Sequence, residues 1–317
     1  MCENSIYDKK ILVVNDPFFG GKNVTVDPLL INPWGLAKVG DTLYVNDNAS
    51  KVITLYTLQG AKLPTVLNLR PFSSTGLIAN NTNNFKIGSP GIPSLIIFCG
   101  NEPLVNKSSI FAYNPLVNPL PETITLVKFH PTGLCIHQNY LFVCGPLGFN
   151  VFNSNFMTDA VTDELQNILQ DSFVEPTIPP FNLVSICNKL YITYAGPNAS
   201  LGNGYVDQVK IRFIQSTPYV QITRIINRGV LNRPWGITLS PNNLLLIGNQ
   251  GDGLINQFTL DGCPLGPLKE TKCLTSLTDG LWSLLTYQDK IFFTAGPTNN
   301  TNGVLGKLTL VAEDDSD

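Results

Sequence analysis

The chain has 317 residues, 14% of them charged, and a formal net charge of −3. So weak and slightly negative a balance supplies no field for gripping nucleic acid or an anionic membrane, and no apolar stretch reaches the ~18 residues that span a bilayer. With 33 asparagines, about one residue in ten, the polar surface must be built largely from uncharged side chains.

The first ten residues lack the basic-then-apolar pattern of a signal peptide, and the compartment is unknown from sequence. Ile11-Leu12-Val13-Val14 is a short β-branched run stopped by Asn15-Asp16-Pro17, a strand followed by a turn. The stretch Asn32-Pro33-Trp34-Gly35-Leu36-Ala37-Lys38-Val39-Gly40-Asp41-Thr42-Leu43-Tyr44-Val45-Asn46-Asp47-Asn48 then sets a pattern. It reads as a tight turn, an apolar strand, a Gly-Asp turn, a second strand and an Asn/Asp loop. Third and fourth strands follow near Val52–Tyr56 and Thr65–Leu69.

The opening recurs along the chain, at Ser74-Thr75-Gly76-Leu77, Pro131-Thr132-Gly133-Leu134, Pro180-Phe181-Asn182-Leu183, Pro234-Trp235-Gly236-Ile237 and Asp279-Gly280-Leu281-Trp282. Six openings at intervals of roughly 40 to 57 residues match the period of propeller blades with four strands each. The predicted fold is therefore all-β, a single six-bladed β-propeller spanning residues 1–317. A pair of Greek-key sandwiches explains neither the six openings nor the leftover strand. That strand, Ile11–Val14, precedes the first complete blade, while the last blade ends after its third. Joining the two closes the ring and removes an edge that invites aggregation.

One segment departs from the pattern. Residues 158–170 carry Val161, Leu165, Ile168 and Leu169 at helical spacing, with acids in the first turn where the helix dipole favours them. They predict a short amphipathic helix between the third and fourth blades, ended by Pro176, Pro179 and Pro180. The acidic tail 312–317 reads as a solvated terminus.

Seven cysteines is an odd number, no CxxC pair occurs, and only His130 and His137 are present. A zinc site of usual spacing is therefore not expected. Cys263 and Cys273 bracket a loop and form the one disulfide candidate, for which cytosolic conditions would favour thiols. Gly248-Asn249-Gln250-Gly251-Asp252-Gly253 follows a strand but precedes another, so it lacks the helix N-terminus of a phosphate loop and reads as a β-turn.

In a propeller, the loops before each inner strand and those between second and third strands share one face around the channel. That face would gather Asn32, Asn48, Asn101, Asn182 and Arg233, and with them the candidate binding residues Asp47, Glu102, Asn249, Asp252 and Asp279. Asp47, Glu102, Asp252 and Asp279 would be the oxygen ligands of any metal, and Ca²⁺ is the ion such a set suits. The competing explanation is stronger: Asp and Asn tolerate left-handed turns and satisfy backbone amides. The supply is uneven as well, since Cys144-Gly145-Pro146 and Ala295-Gly296-Pro297 hold the matching places in two blades. No cofactor and no catalytic residue is expected. Trp34, Trp235 and Trp282 fall at equivalent positions, where blade packing explains them better than a ligand-stacking ring.

Several segments together bear a family likeness. Asp27-Pro28-Leu29-Leu30-Ile31-Asn32-Pro33-Trp34-Gly35-Leu36, Phe173-Val174-Glu175-Pro176-Thr177-Ile178-Pro179-Pro180-Phe181-Asn182, Gly248-Asn249-Gln250-Gly251-Asp252-Gly253-Leu254-Ile255-Asn256 and Phe292-Phe293-Thr294-Ala295-Gly296-Pro297 resemble an uncharacterised, mostly exported family of bacterial β-propeller proteins. That family is distantly related to NHL-repeat and gluconolactonase-like six-bladed propellers. The resemblance runs in order from about residue 12 to 307. It implies the propeller fold and no established activity; the lactonase-type relatives imply a central metal that polarises a carbonyl. The Asn-rich composition departs from the family and suggests an AT-rich coding genome, of a protist or a large DNA virus.

The functional expectation is a rigid binding or structural module, meeting a protein or glycan in an extracellular, virion or surface assembly. A homo-oligomer is compatible with it; nucleic acid and membrane insertion are not. The alternative is a metal-dependent lactonase or esterase working in the channel.

Overall fold

A computed structural model describes residues 6–89, 91–102, 104–169, 177–271 and 279–311. They form six blades around a central channel, each built on antiparallel strands, with a small separate hairpin of Lys86–Ile87 and Ile92–Pro93. Blade 1 runs through Pro33–Val39, Thr42–Asp47, Val52–Thr57 and Lys62–Asn68. Blade 2 uses Ser73–Ala79, Ile96–Glu102, Lys107–Tyr113 and Glu122–Val127. Blade 4 uses Pro180–Ile186, Lys189–Ala195, Gly204–Ile214 and Thr217–Asn227. Blade 5 uses Pro234–Leu239, Leu245–Asn249, Ile255–Phe258 and Pro264–Pro267.

Blade 6 has three strands from the end of the chain, Leu281–Tyr287, Lys290–Ala295 and Val304–Leu310. Its outermost strand is Ile6–Val14, paired antiparallel with Val304–Leu310 in a register that runs from Tyr7↔Leu310 to Val14↔Val304. The ring therefore closes as the leftover strand predicts. Two short segments, Thr25–Val26 and Lys269–Glu270, pair in parallel with the other side of Ile6–Val14 and cover its two ends.

Blade 3 differs from the four-strand expectation. Among the described residues it has three strands, Gly133–His137, Tyr140–Gly145 and Gly148–Phe152. The predicted helix, Ala160–Leu169, lies against its outer strand and against the outer strand of blade 4. Leu165 and Leu169 are buried with Phe149 and Val151 of blade 3 and Ile211 of blade 4. The Asn150 amide donates to Gln166 Oε1 at 3.0 Å. At the helix start, Asp159 Oδ1 accepts from the Thr162 N–H at 2.9 Å while the Asp159 N–H donates to Thr162 Oγ1 at 2.7 Å, a reciprocal cap that satisfies two free amides.

The blades pack face to face, so both faces of each middle strand are buried and read as continuous apolar runs. In blade 1, Leu43 and Val45 turn toward blade 6, joining Phe292 and Leu305. Tyr44, between them, turns toward blade 2, joining Leu77 and Phe98. Successive residues of one strand thus hold two different blade interfaces together.

The register also fixes the faces of the disc. The start of each inner strand lies beside the end of the second, as in Pro33↔Asp47 and Pro234↔Asn249. Loops joining second to third strands therefore share a face, here the upper one, with the beginnings of the inner strands. Among the described residues no helix is long and apolar enough to cross a membrane.

Candidate functional site

The repeated Xaa-Pro-Trp-Gly opening brings its aromatic residue to the axis at the upper end of the channel. Trp34 of blade 1 stacks on Trp282 of blade 6 with ring centroids 3.8 Å apart and planes 22° from parallel. Trp235 of blade 5 meets both edge-on, at 6.3 Å and 6.0 Å. Phe181 of blade 4 adds two more edge contacts, at 6.5 Å to Trp34 and 6.2 Å to Trp282. Blades 2 and 3 have Thr75 and Thr132 at this level, and Thr75 Oγ1 donates to the Pro131 carbonyl at 2.8 Å.

The indole N–H groups are all satisfied. Asn32 Oδ1 accepts from Trp34 Nε1 at 3.1 Å and from Trp282 Nε1 at 3.0 Å. Trp235 Nε1 donates to the Thr132 carbonyl of blade 3 at 3.2 Å. The cluster is thus a cross-braced plug. Trp235 and Trp282 are buried packing residues, as the sequence suggests, whereas Trp34 and Phe181 are only half-buried. The glycine after each aromatic makes this tight convergence feasible: a Cβ on Gly35 would lie 2.7 Å from the Thr75 carbonyl oxygen of the next inner strand.

Below the plug the channel opens toward the lower face as a cavity of about 470 Å³. Its walls combine aliphatic side chains, among them Leu36, Leu77, Val184 and Ile237, with the polar Lys38, Asn81, Asn182, Thr238, Ser283 and Thr286. The Lys38 ammonium sits 3.8 Å above the centre of the Tyr287 ring.

The five candidate oxygen-bearing residues are placed quite differently from one another. Asp47 is not on the channel face: its side chain is 0% exposed, and Oδ2 accepts from Thr54 Oγ1 of the neighbouring strand at 2.6 Å. Burial, reinforced by the negative charge of Asp27, pushes its carboxyl well above the usual carboxylate range. Asn249 and Asp252 do meet, through Asn249 Nδ2 and Asp252 Oδ2 at 3.2 Å. They serve the loop itself: Asp252 also accepts from the Asn232 amide and the Leu254 N–H, and Asn249 Oδ1 from the Asn232 N–H. Glu102 ends a strand in register with Lys107, half-buried, and Asp279 is exposed. Among the described residues no three His, Cys, Asp or Glu side chains come together as a metal-binding set.

Of the remaining reactive types, His130, Cys187 and Cys263 are exposed and the others described are core residues. His137 is buried, with Nδ1 2.8 Å from Ser185 Oγ, and burial lowers it to about 4. Cys99, Cys135 and Cys144 are buried, and burial pushes the Cys99 thiol up to about 11, which keeps it from acting as a thiolate. Cys263 is exposed; its suggested disulfide partner, Cys273, lies outside the described residues, as does the acidic tail.

One residue of the upper face has a setting that the sequence leaves unremarked. Arg233 occupies the place of Asn32 in the repeat, and the two share a left-handed backbone, each with φ of 51°. Where Asn32 turns in to brace the indoles, the Arg233 guanidinium carbon lies 5.6 Å from the centre of the Phe181 ring. The side chain is half-buried, its Nε is buried without a partner, and no hydrogen bond or ion pair engages it among the described residues. Burial accordingly lowers its affinity for its proton. The signal was legible as Arg233-Pro234-Trp235-Gly236 set against Asn32-Pro33-Trp34-Gly35.

No protein-family model matches the chain. It is 32% identical to Uncharacterized protein R648 of Acanthamoeba polyphaga mimivirus, over 89% of this chain and 76% of that protein. It is 31% identical to Uncharacterized protein L690 of the same virus, over 89% of this chain and 81% of that protein. Solved structures share the fold at much lower identity. A protein of unknown function from Bacteroides thetaiotaomicron superposes with a TM-score of 0.64 at 11% identity, covering 97% of this chain and 76% of that one. A putative gluconolactonase gives 0.61 at 11% identity over 97% and 94%. The calcium-binding protein regucalcin from Agrobacterium tumefaciens gives 0.60 at 10% identity over 95% of each chain. Kinship in sequence is thus to viral proteins, and likeness to bacterial propellers lies in the fold alone; an exported bacterial family finds no support here.

Proposed function

Because this chain belongs to the protein family of mimivirus R648 and L690, we propose that it works as a rigid, non-enzymatic binding module of a particle- or surface-associated assembly, with the upper face as its working surface. The observation that carries this reading is the aromatic plug. At the level where a lactonase-type propeller would gather its central metal and substrate, this chain has Trp34, Trp235, Trp282 and Phe181 in mutual contact. A reacting carbonyl and an ion held by several oxygens need that space. The residues that would supply the oxygens are occupied elsewhere, Asp47 inside its blade and Asp252 within its own loop.

A plug so braced makes a stiff floor for a surface, and stiffness lowers the ordering cost of association. The rim of that surface is built for protein contact. Leu104, Leu147 and Leu201 sit in the second-to-third-strand loops of blades 2, 3 and 4, exposed by 94%, 73% and 73%. Apolar side chains held out in equivalent loops of three consecutive blades give a protein partner apolar surface to bury.

The lactonase alternative draws on fold kinship to the putative gluconolactonase and to regucalcin, and fold alone does not carry an activity. Purified protein should be titrated with CaCl₂ by calorimetry and assayed against a panel of sugar lactones and aryl esters. The expected outcome is no turnover. Calcium-dependent hydrolysis that is abolished by a chelator and by Asp252→Asn would replace the module reading with the enzyme one.

A further inference from the structure

Among the described residues, one charge of the upper face has no counter-charge. Proteins rarely leave a guanidinium half out of water without an anion, because desolvating it is costly unless it is paired. Arg233 is in that state, lying over the face of Phe181 with a buried, unpartnered Nε and no carboxylate among the described residues. Its surroundings explain why it stays there. The ring of Phe181 offers a weak attraction to the cation, and the left-handed turn before Pro234 holds the backbone in place. Neither replaces the hydrogen bonds that a planar fork of five donors would make to a carboxylate.

Resting on the module reading above, we infer that Arg233 is the receptor for an Asp or Glu side chain of a partner protein. The partner's acidic side chain would be laid over Phe181 while its flanking apolar residues cover the leucines of blades 2 to 4. Charge complementarity favours this occupant: the unsatisfied group is cationic and fork-shaped, and it shares its face with the exposed aliphatic side chains Leu104, Leu147 and Leu201. Such an arrangement, an Arg set against aromatics with apolar contacts around it, is where interfaces concentrate their binding energy. A carboxylated glycan would use Arg233 and Phe181 but leave the three leucines without a role.

The test uses the intact chain, immobilised and panned with a random-peptide phage library. Enriched peptides should carry an Asp or Glu beside Leu, Ile or Phe. Synthetic versions, followed by fluorescence anisotropy, should lose about ten-fold or more in affinity for Arg233→Met, and equally when the peptide's acid becomes its amide. Leu147→Ser and Leu201→Ser should each weaken binding less. Arg233→Met should melt no lower than the parent chain, since it relieves an unpaired charge; a clear drop would mean that Arg233 is a packing residue and would overturn the assignment. Enriched peptides without acids, or bound equally well by Arg233→Met, would overturn the carboxylate receptor while leaving the module reading intact. Failure to enrich any peptide, with binding of a glucuronate-terminated oligosaccharide that Arg233→Met abolishes, would overturn the protein partner in favour of a glycan. Hydrolysis of lactones under the conditions above would instead sink the module reading itself.

Discussion

Asp47 shows how one residue type takes opposite roles in the same repeat. Blade 2 has Asn101 in the corresponding place, where its Oδ1 accepts from Ser108 Oγ at 3.3 Å, much as Asp47 accepts from Thr54. An amide suits this buried position without a protonation cost. Because burial raises the Asp47 carboxyl, the folded state holds a proton that the unfolded chain releases above about pH 3.9. This contribution to stability therefore declines as pH rises through the unfolded value toward the folded one. Asp47→Asn should melt above the parent chain at pH 7, with the gap closing toward pH 4, as thermal denaturation across that range would record. His137 acts in the opposite sense: lowered to about 4, it contributes stability that is lost as pH falls below about 6.5. The two slopes oppose each other, so single variants are needed to separate them. Nothing in Asn46-Asp47-Asn48 distinguishes a buried acid from a turn acid, and for that reason the sequence placed Asp47 on the channel face.

Among the described residues, the helix Ala160–Leu169 stands where the other blades have a fourth strand. It leaves the backbone edge of Gly148–Phe152 without ladder partners from a fourth strand, but supplies the apolar cover that such a strand would provide. Leu165 is fully buried in that interface. Leu165→Ala should cost about 2–5 kcal/mol, the range for buried leucines, measurable by chemical denaturation. A cost below 1 kcal/mol would show that the helix is an ornament on a self-sufficient three-stranded blade. The helix was legible because its apolar residues recur at helical spacing and its acids sit in the first turn. The three-strand count was not, since the repeat period is shared by all six blades and does not mark which one departs from four strands.

For the whole molecule, the ring depends on a strand from the far end of the sequence. Tyr7, Leu12, Val13 and Val14 are all buried, and they belong to the interfaces of blade 6 with blades 5 and 1. Removing residues 1–14 should expose the edge of Val304–Leu310 and drain apolar contacts from both sides. Aggregation by light scattering and a large drop in melting temperature are expected; a melt within about 1–2 °C of the full chain would refute the closure. The architecture was readable because repetition is a global signal: six copies of one opening and one spare strand admit few other arrangements. The site was less so. That three tryptophans share a repeat position is visible in the sequence. That they meet at the axis depends on how the blades are rotated about it, and that Arg233 meets no counter-charge among the described residues depends on how the neighbouring loops run.

The closing strand pair has one more consequence, for orientation. Ile6 and Leu310 emerge side by side, because the register begins at Tyr7↔Leu310 and ends, on the far side of the disc, at Val14↔Val304. Since Val304 follows the upper loop of blade 6, both flanks of the ring depart from the lower face. Anything that anchors this protein through either flank therefore turns the tryptophan plug, Arg233 and the three leucines away from the anchor.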